Sequence, residues 1–287
     1  MSSWIARAAV ALAALSPVAG VSLAGAALAG CAGEEAKTAL TYTEDAKRAY
    51  DAAMEEYNAH NWIEAQSLLR EVKRKYSYSK YARQAELRIA DADYEQEKFS
   101  DAIREYKDFI HAHRSDADDV AYARSRIAES TYAEIPETAL IGAVEERDQA
   151  SVVDAYKELT SYLSDFPDAK ETAHIRELLG QVVARLVRHE LYVARFYLGR
   201  DNYEAAVARI QYALHNYGPG GGAIRVGVTP DSDLDAEALL LLGQTYLKMH
   251  KWPDARGAFE TIVRVHSGSP IVVQARDYLQ HLSEQGA

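Results

Sequence analysis

Residues 90–102, Ala90-Asp91-Ala92-Asp93-Tyr94-Glu95-Gln96-Glu97-Lys98-Phe99-Ser100-Asp101-Ala102, hold a small residue, an aromatic nine positions later and an alanine twelve positions later. The same spacing starts at Ala53 (Trp62, Ala65), at Ala194 (Tyr203, Ala206) and at Gly243 (Trp252, Ala255). Each small residue follows an apolar or small partner: Ala52, Ile89, Val193 or Leu242. Four residues past each alanine comes a bulky side chain: Leu69, Tyr106, Ile210 or Phe259. Antiparallel helices approach closely only where the facing side chains are small, and an aromatic at the turn plugs the end of the pair. One match would be weak; four in register define a repeat.

This is the tetratricopeptide pattern, and the four turn aromatics are expected in its core. A further repeat lies between the second and the fourth, where Ala128 pairs with Ala155 at a spacing of 27 instead of 12. The insertion, roughly residues 134–149, contains Pro136, Gly142 and the charged run Glu145-Glu146-Arg147-Asp148. Pro167 closes the second helix of that repeat. Ile175, Leu178, Leu179, Val182, Val183, Leu186 and Val187 then follow helical spacing, which predicts one long helix over about 170–198. A second, glycine-rich insertion at 218–233 is expected to be an exposed loop. The predicted architecture is all-α: a right-handed α-solenoid of five helix pairs (about 42–78, 79–115, 116–168, 169–218 and 233–268) closed by a C-terminal helix over 271–283, the repeat domain spanning 42–284.

Residues 1–30 carry a single charge, Arg7, followed by a run rich in Ala, Leu, Val and Gly, as in a secretory signal. Its end, Leu28-Ala29-Gly30-Cys31, looks like the lipobox of bacterial lipoproteins, and Cys31 is the one cysteine of the chain. The expected product is a chain cleaved before Cys31 and acylated there, with 31–41 as a lipidated tether. A retained membrane-spanning helix is the alternative reading, weakened by Pro17 and the many Gly and Ala residues. Ala32 follows the cysteine where an Asp would signal inner-membrane retention, so the periplasmic face of the outer membrane is favoured.

The 287 residues carry a net charge of −11, which argues against a nucleic-acid partner, since phosphates demand a basic surface. A lone cysteine allows neither an intrachain disulfide nor a multi-cysteine metal site. The run Gly218-Pro219-Gly220-Gly221-Gly222 lacks the Lys-Ser/Thr of a phosphate loop. His111 and His113 stand near Asp116, Asp118 and Asp119, which superficially resembles a metal cluster. Basic residues at one helix end followed by acidic residues at the next start account for that grouping more simply. No HExxH, GxSxG or Cys/His arrangement occurs. Neither catalysis, nor a cofactor, nor a metal is expected.

A second aromatic set is more informative. Tyr57, Tyr94 and Tyr132 each stand four residues after the small residue of the first three repeats, a slot that normally faces the concave groove. Leu198 and Leu247 occupy it in the last two. These tyrosines either pack against the next repeat or form a ladder gripping an extended, aromatic-containing peptide. Tyrosine suits the second role because it offers a large contact area at low entropy cost. Tyr50, Met54, Leu87, Asp91 and Tyr122 are the neighbouring groove positions.

Residues 28–284 resemble the BamD family, lipoproteins of the outer-membrane β-barrel assembly (BAM) machinery. The resemblance rests on the lipobox at Cys31, Lys75-Tyr76-Ser77-Tyr78-Ser79, Arg88-Ile89-Ala90-Asp91, the insert ending Glu146-Arg147-Asp148-Gln149, and Arg188-His189-Glu190-Leu191-Tyr192-Val193-Ala194-Arg195-Phe196-Tyr197. It departs at Ser77 and Gly218, where the family commonly has proline. The resemblance implies a non-catalytic subunit that binds the periplasmic domains of BamA and the C-terminal β-signals of unfolded outer-membrane proteins, held to the membrane by its lipid. It also implies that Arg209 contacts BamA; on its own residues Arg209 reads equally as a solvated helix position. A tetratricopeptide lipoprotein serving as a secretin pilotin or another envelope scaffold is the alternative, disfavoured by the insert in repeat three.

Overall fold

The computed structural model describes residues 39–136, 144–218, 221–228 and 232–286; the lipobox and Cys31 lie outside them. The helices are α1 (Ala39–Asn58), α2 (Trp62–Lys75), α3 (Lys80–Glu95), α4 (Phe99–Ala112), α5 (Ala117–Ala133), α6 (Ala150–Asp165), α7 (Thr172–Leu198), α8 (Tyr203–Asn216), the single turn α9 (Gly222–Arg225), α10 (Ser232–Lys248), α11 (Trp252–Val265) and α12 (Ile271–Glu284). Among the described residues there is no strand, and the fold is an all-α solenoid. The pairs α1/α2, α3/α4, α5/α6, α7/α8 and α10/α11 follow one another, and each packs on the next. Among the described residues no helix is long and apolar enough to cross a membrane.

Small residues set the spacing. Ala53, Ala90, Ala128 and Ala194 on the first helices of their pairs are fully buried, as are Ala65, Ala102, Ala155, Ala206 and Ala255 on the second. Gly243 shows how tight the approach is: a Cβ there would come within 2.4 Å of the Phe259 ring. That ring is fully buried and stacked on Tyr278, with centroids 4.8 Å apart, so it has nowhere to retreat. Gly243→Ala therefore sets an overpacking cost of about 1–3 kcal/mol against a gain in helix propensity of about 1 kcal/mol. The expected net result is a loss of stability, read as a lower urea midpoint.

The turns repeat as strictly as the helices. His60, Glu97, Asp201 and His250, each two residues before a turn aromatic, all have φ between 57 and 60°. This left-handed residue reverses the chain so that Trp62, Phe99, Tyr203 and Trp252 become the first residues of α2, α4, α8 and α11. Standing at a helix start on the rim of each pair, these aromatics are half-buried rather than core residues, which corrects the sequence expectation.

Two further differences matter for the site. α7 runs 27 residues, about 40 Å at 1.5 Å per residue, and its first half reaches past α8 to face α5 and α6. The insertion expected to be an exposed loop at 218–233 is partly folded back onto α7. Ala223 and Val228 join the central core there, and Arg176 Nε donates to the Val226 carbonyl at 3.1 Å. Gly227, at φ 83°, lets the chain turn against that arginine. Glycine-rich composition was a poor guide here because two apolar side chains, Ala223 and Val228, find the uncovered flank of an unusually long helix.

Candidate peptide groove and its buried support

The three tyrosines of the ladder occupy equivalent places on α1, α3 and α5, and all are half-buried. Tyr57 meets Trp62 edge-on at 5.1 Å and Tyr94 meets Phe99 edge-on at 5.4 Å, so each leans on the turn aromatic of its own pair. At Tyr132 the insertion separates α5 from α6. The Tyr132 hydroxyl donates to Gln181 Oε1 on α7, at 2.6 Å. Burial, with the Asp91 charge second, pushes the Tyr57 hydroxyl up to about 12, which keeps it a protonated donor across the physiological range.

Behind the ladder lies a charged network that the groove reading missed. Asp91 is 1% exposed. It accepts hydrogen bonds from the Tyr106 hydroxyl and, at 2.9 Å, from the Tyr122 hydroxyl. Arg88 Nη1 lies 2.7 Å from its carboxylate and Arg126 Nε lies 3.6 Å away. Arg126 also donates to Glu129 at 2.6 Å and places its guanidinium 3.8 Å from the centre of the Tyr94 ring. Burial and then the Asp91 charge raise the Tyr122 and Tyr106 hydroxyls, so both remain donors to the carboxylate. A buried carboxylate with two arginines and two tyrosines around it is a paired ionic cluster, hydrogen-bonded through Oδ1 while Oδ2 is met by the Arg88 ion pair alone, and it fixes the face on which Tyr94 sits.

Leu87 and Asp91 are thus corrected. They were expected on the groove surface, but Leu87 packs in the core with Tyr106 and Phe109, and Asp91 is covered by Tyr122 and Arg126 of the next repeat. Neither presents surface to a ligand. Tyr50, Met54 and Tyr122 are half-buried, with the Tyr50 ring 5.7 Å from Tyr81. Arg88 and Arg126 carried a readable signal: both stand two residues before the small residue of their repeat.

Tyr94 and Tyr132 open onto a cleft of about 640 Å³. Phe99 and Ile135 complete that wall; Leu178, Gln181, Val182 and Arg185 of α7 form the other. The rim carries Glu97, Glu129, Glu134 and His174. The long α7 is what turns an open concave face into a two-walled cleft. Mostly apolar walls with a few polar groups suit an extended segment bearing an apolar or aromatic side chain.

The remaining sites of interest lie elsewhere. Arg209, half-exposed on α8, donates to Glu190 Oε2 of α7 at 3.2 Å. His113 pairs with Glu86 at 3.0 Å, and Arg83 pairs with Asp116 and Asp119, both at 3.0 Å. Among the described residues no group of three or more His, Cys, Asp or Glu side chains converges as a metal site.

Comparison with known proteins gives a consistent picture. Residues 42–220 match the family model described as "YfiO: Outer membrane lipoprotein". The chain is 26% identical over 212 residues to "Outer membrane protein assembly factor BamD" of Caulobacter vibrioides, covering 74% of this chain and 65% of that protein. It is 24% identical over 180 residues to the protein of the same name from Neisseria meningitidis serogroup A, covering 62% and 67%. The chain therefore spans about two thirds of the length of these relatives. Among solved structures, the TPR2AB-domain:pHSP90 complex of yeast Sti1 is similar at a TM-score of 0.41 and 12% identity, over 77% of each chain.

Proposed function

This chain belongs to the YfiO family of outer-membrane lipoproteins, and from that premise we propose that it is a non-catalytic, lipid-anchored subunit of a β-barrel assembly machinery. It binds unfolded outer-membrane precursors through the α3/α5/α7 cleft and a BamA-like subunit through the C-terminal repeats, with Cys31 as its acylated anchor and Arg209 in the BamA contact. The observation that carries the substrate half is the cleft itself: two ladder tyrosines, Tyr94 and Tyr132, line a volume that accepts an aromatic side chain, closed on the far side by Leu178, Gln181, Val182 and Arg185 of α7. Arg185, on the same wall, supplies a cation for a terminal carboxylate. Binding and positioning need no cofactor, and the relatives are named as assembly factors.

Titration of the mature lipoprotein in detergent with a short peptide ending in phenylalanine tests this reading. The expected result is saturable binding that weakens by about tenfold or more when the terminal phenylalanine is alanine. Equal affinity for the two peptides would contradict it.

A further inference from the structure

Residues 73–81 read Lys73-Arg74-Lys75-Tyr76-Ser77-Tyr78-Ser79-Lys80-Tyr81: four cations and three tyrosines with no acidic residue, in a chain of net charge −11. They form the turn from α2 to α3, at one end of the first helix pair. Tyr78 is 96% exposed there, and Lys73, Arg74, Lys75 and Lys80 all reach solvent. Lys75 is drawn to Glu71 at 2.7 Å and Lys73 lies 3.7 Å from Glu86, while Arg74 and Lys80 have no carboxylate partner among the described residues. The start of α1 lies against the same end: Tyr42 meets the Tyr76 ring edge-on at 5.4 Å, and Leu40 is 70% exposed.

We propose that this end of the first helix pair rests on the headgroup region of an anionic phospholipid bilayer and so fixes the orientation of the solenoid on the membrane. The inference rests on the reading of Cys31 as a lipid anchor. Cys31 is eight residues from Ala39, a span of at most about 28 Å even fully extended. The anchor thereby confines the Tyr42/Tyr76 end to the immediate neighbourhood of the bilayer. The exposed Tyr78 suits that place, because an amphipathic ring sits favourably at headgroup level. Basic residues gain from an anionic surface only within about a Debye length, roughly 8 Å at physiological salt. The local face, rather than the net charge of the whole chain, therefore decides the contact. The opposite turn of the pair, with Ile63, stands about 20 Å away along α2 at 1.5 Å per residue and points away from the bilayer.

The single cysteine makes a direct test available. With Cys31 acylated, Ser77→Cys introduces the one free thiol of the full lipidated chain, and Ile63→Cys does the same at the far turn. Each is labelled with a nitroxide and reconstituted into phosphatidylethanolamine–phosphatidylglycerol vesicles, folding being checked by circular dichroism. The expected result is a label at 77 that is shielded from a water-soluble nickel complex and accessible to oxygen, with the label at 63 fully aqueous. In phosphatidylcholine vesicles, or with Arg74→Gln and Lys80→Gln added, the shielding at 77 fades, the docking equilibrium falling about fivefold per charge removed. A label at 77 as aqueous as that at 63, in a chain whose Cys31 resists thiol reagents, overturns this inference alone. A reactive Cys31 in the unsubstituted chain removes the anchor and the inference together. Shielding at 77 that needs an added protein also overturns it, since the occupant would then be that protein and not lipid.

Discussion

Asp91→Ala is expected to destabilise the N-terminal repeats by about 3–5 kcal/mol, the range for removing one partner of a buried ionic cluster. The carboxylate is almost wholly enclosed, and four groups are arranged around it. Alanine leaves the buried Tyr106 hydroxyl without its acceptor, a cost of about 1–3 kcal/mol by itself. It also leaves Arg88 without its close counter-charge, while Arg126 keeps Glu129. Asp91→Asn retains an acceptor oxygen for the tyrosines and should cost less than alanine. In a solenoid each repeat touches mainly its neighbours, so the effect concentrates in α3–α5 and their flanks instead of spreading evenly. Amide hydrogen exchange reads it directly: protection should collapse in α3–α5 while α10–α12 exchange as before. Unchanged protection in α3–α5 would show that the cluster contributes little to holding these repeats together.

Tyr94→Ala carries the second large effect, on binding instead of folding. Tyr94 has the Arg126 guanidinium over its ring and the Phe99 edge against it, and it faces the cleft beyond. It is an aromatic held in place before any ligand arrives, and such pre-positioned aromatics dominate interface energetics. Affinity for a peptide ending in an aromatic should fall by roughly thirtyfold, corresponding to a hot-spot loss of about 2 kcal/mol. Helicity should be unchanged, because the substitution removes a half-buried ring from a rim. Tyr94→Phe should retain most of the affinity. An unaltered titration for Tyr94→Ala would make the ladder a packing feature of the solenoid and nothing more.

The fold class was legible because it depends on the smallest side chains. Ala53, Ala90, Ala128, Ala194 and Gly243 mark where backbones must approach, a spacing that larger side chains would block. The length of α7 was legible for a related reason, its apolar residues holding helical period through the single interior Gly180, with no proline, until the turn at Gly199–Asn202. What could not be read was the content of the space between successive first helices. A repeat register gives each residue a slot, but the depth of that slot is set by the side chains of the next repeat. Asp91 looked like a groove residue until Tyr122 and Arg126 were seen to close over it. The fold-back at 221–228 escaped for the same reason. Its apolar residues are few, and the surface they cover belongs to a helix some fifty residues earlier, Arg176 against Val226.

Affinity capture of the lipidated chain from detergent-solubilised outer membranes, with mass spectrometry of what is retained, tests the functional account most directly. Recovery of a BamA-like barrel subunit with periplasmic domains is expected, reduced when Arg209 is replaced by glutamate. Recovery of no such subunit, or of a secretin in its place, would contradict it.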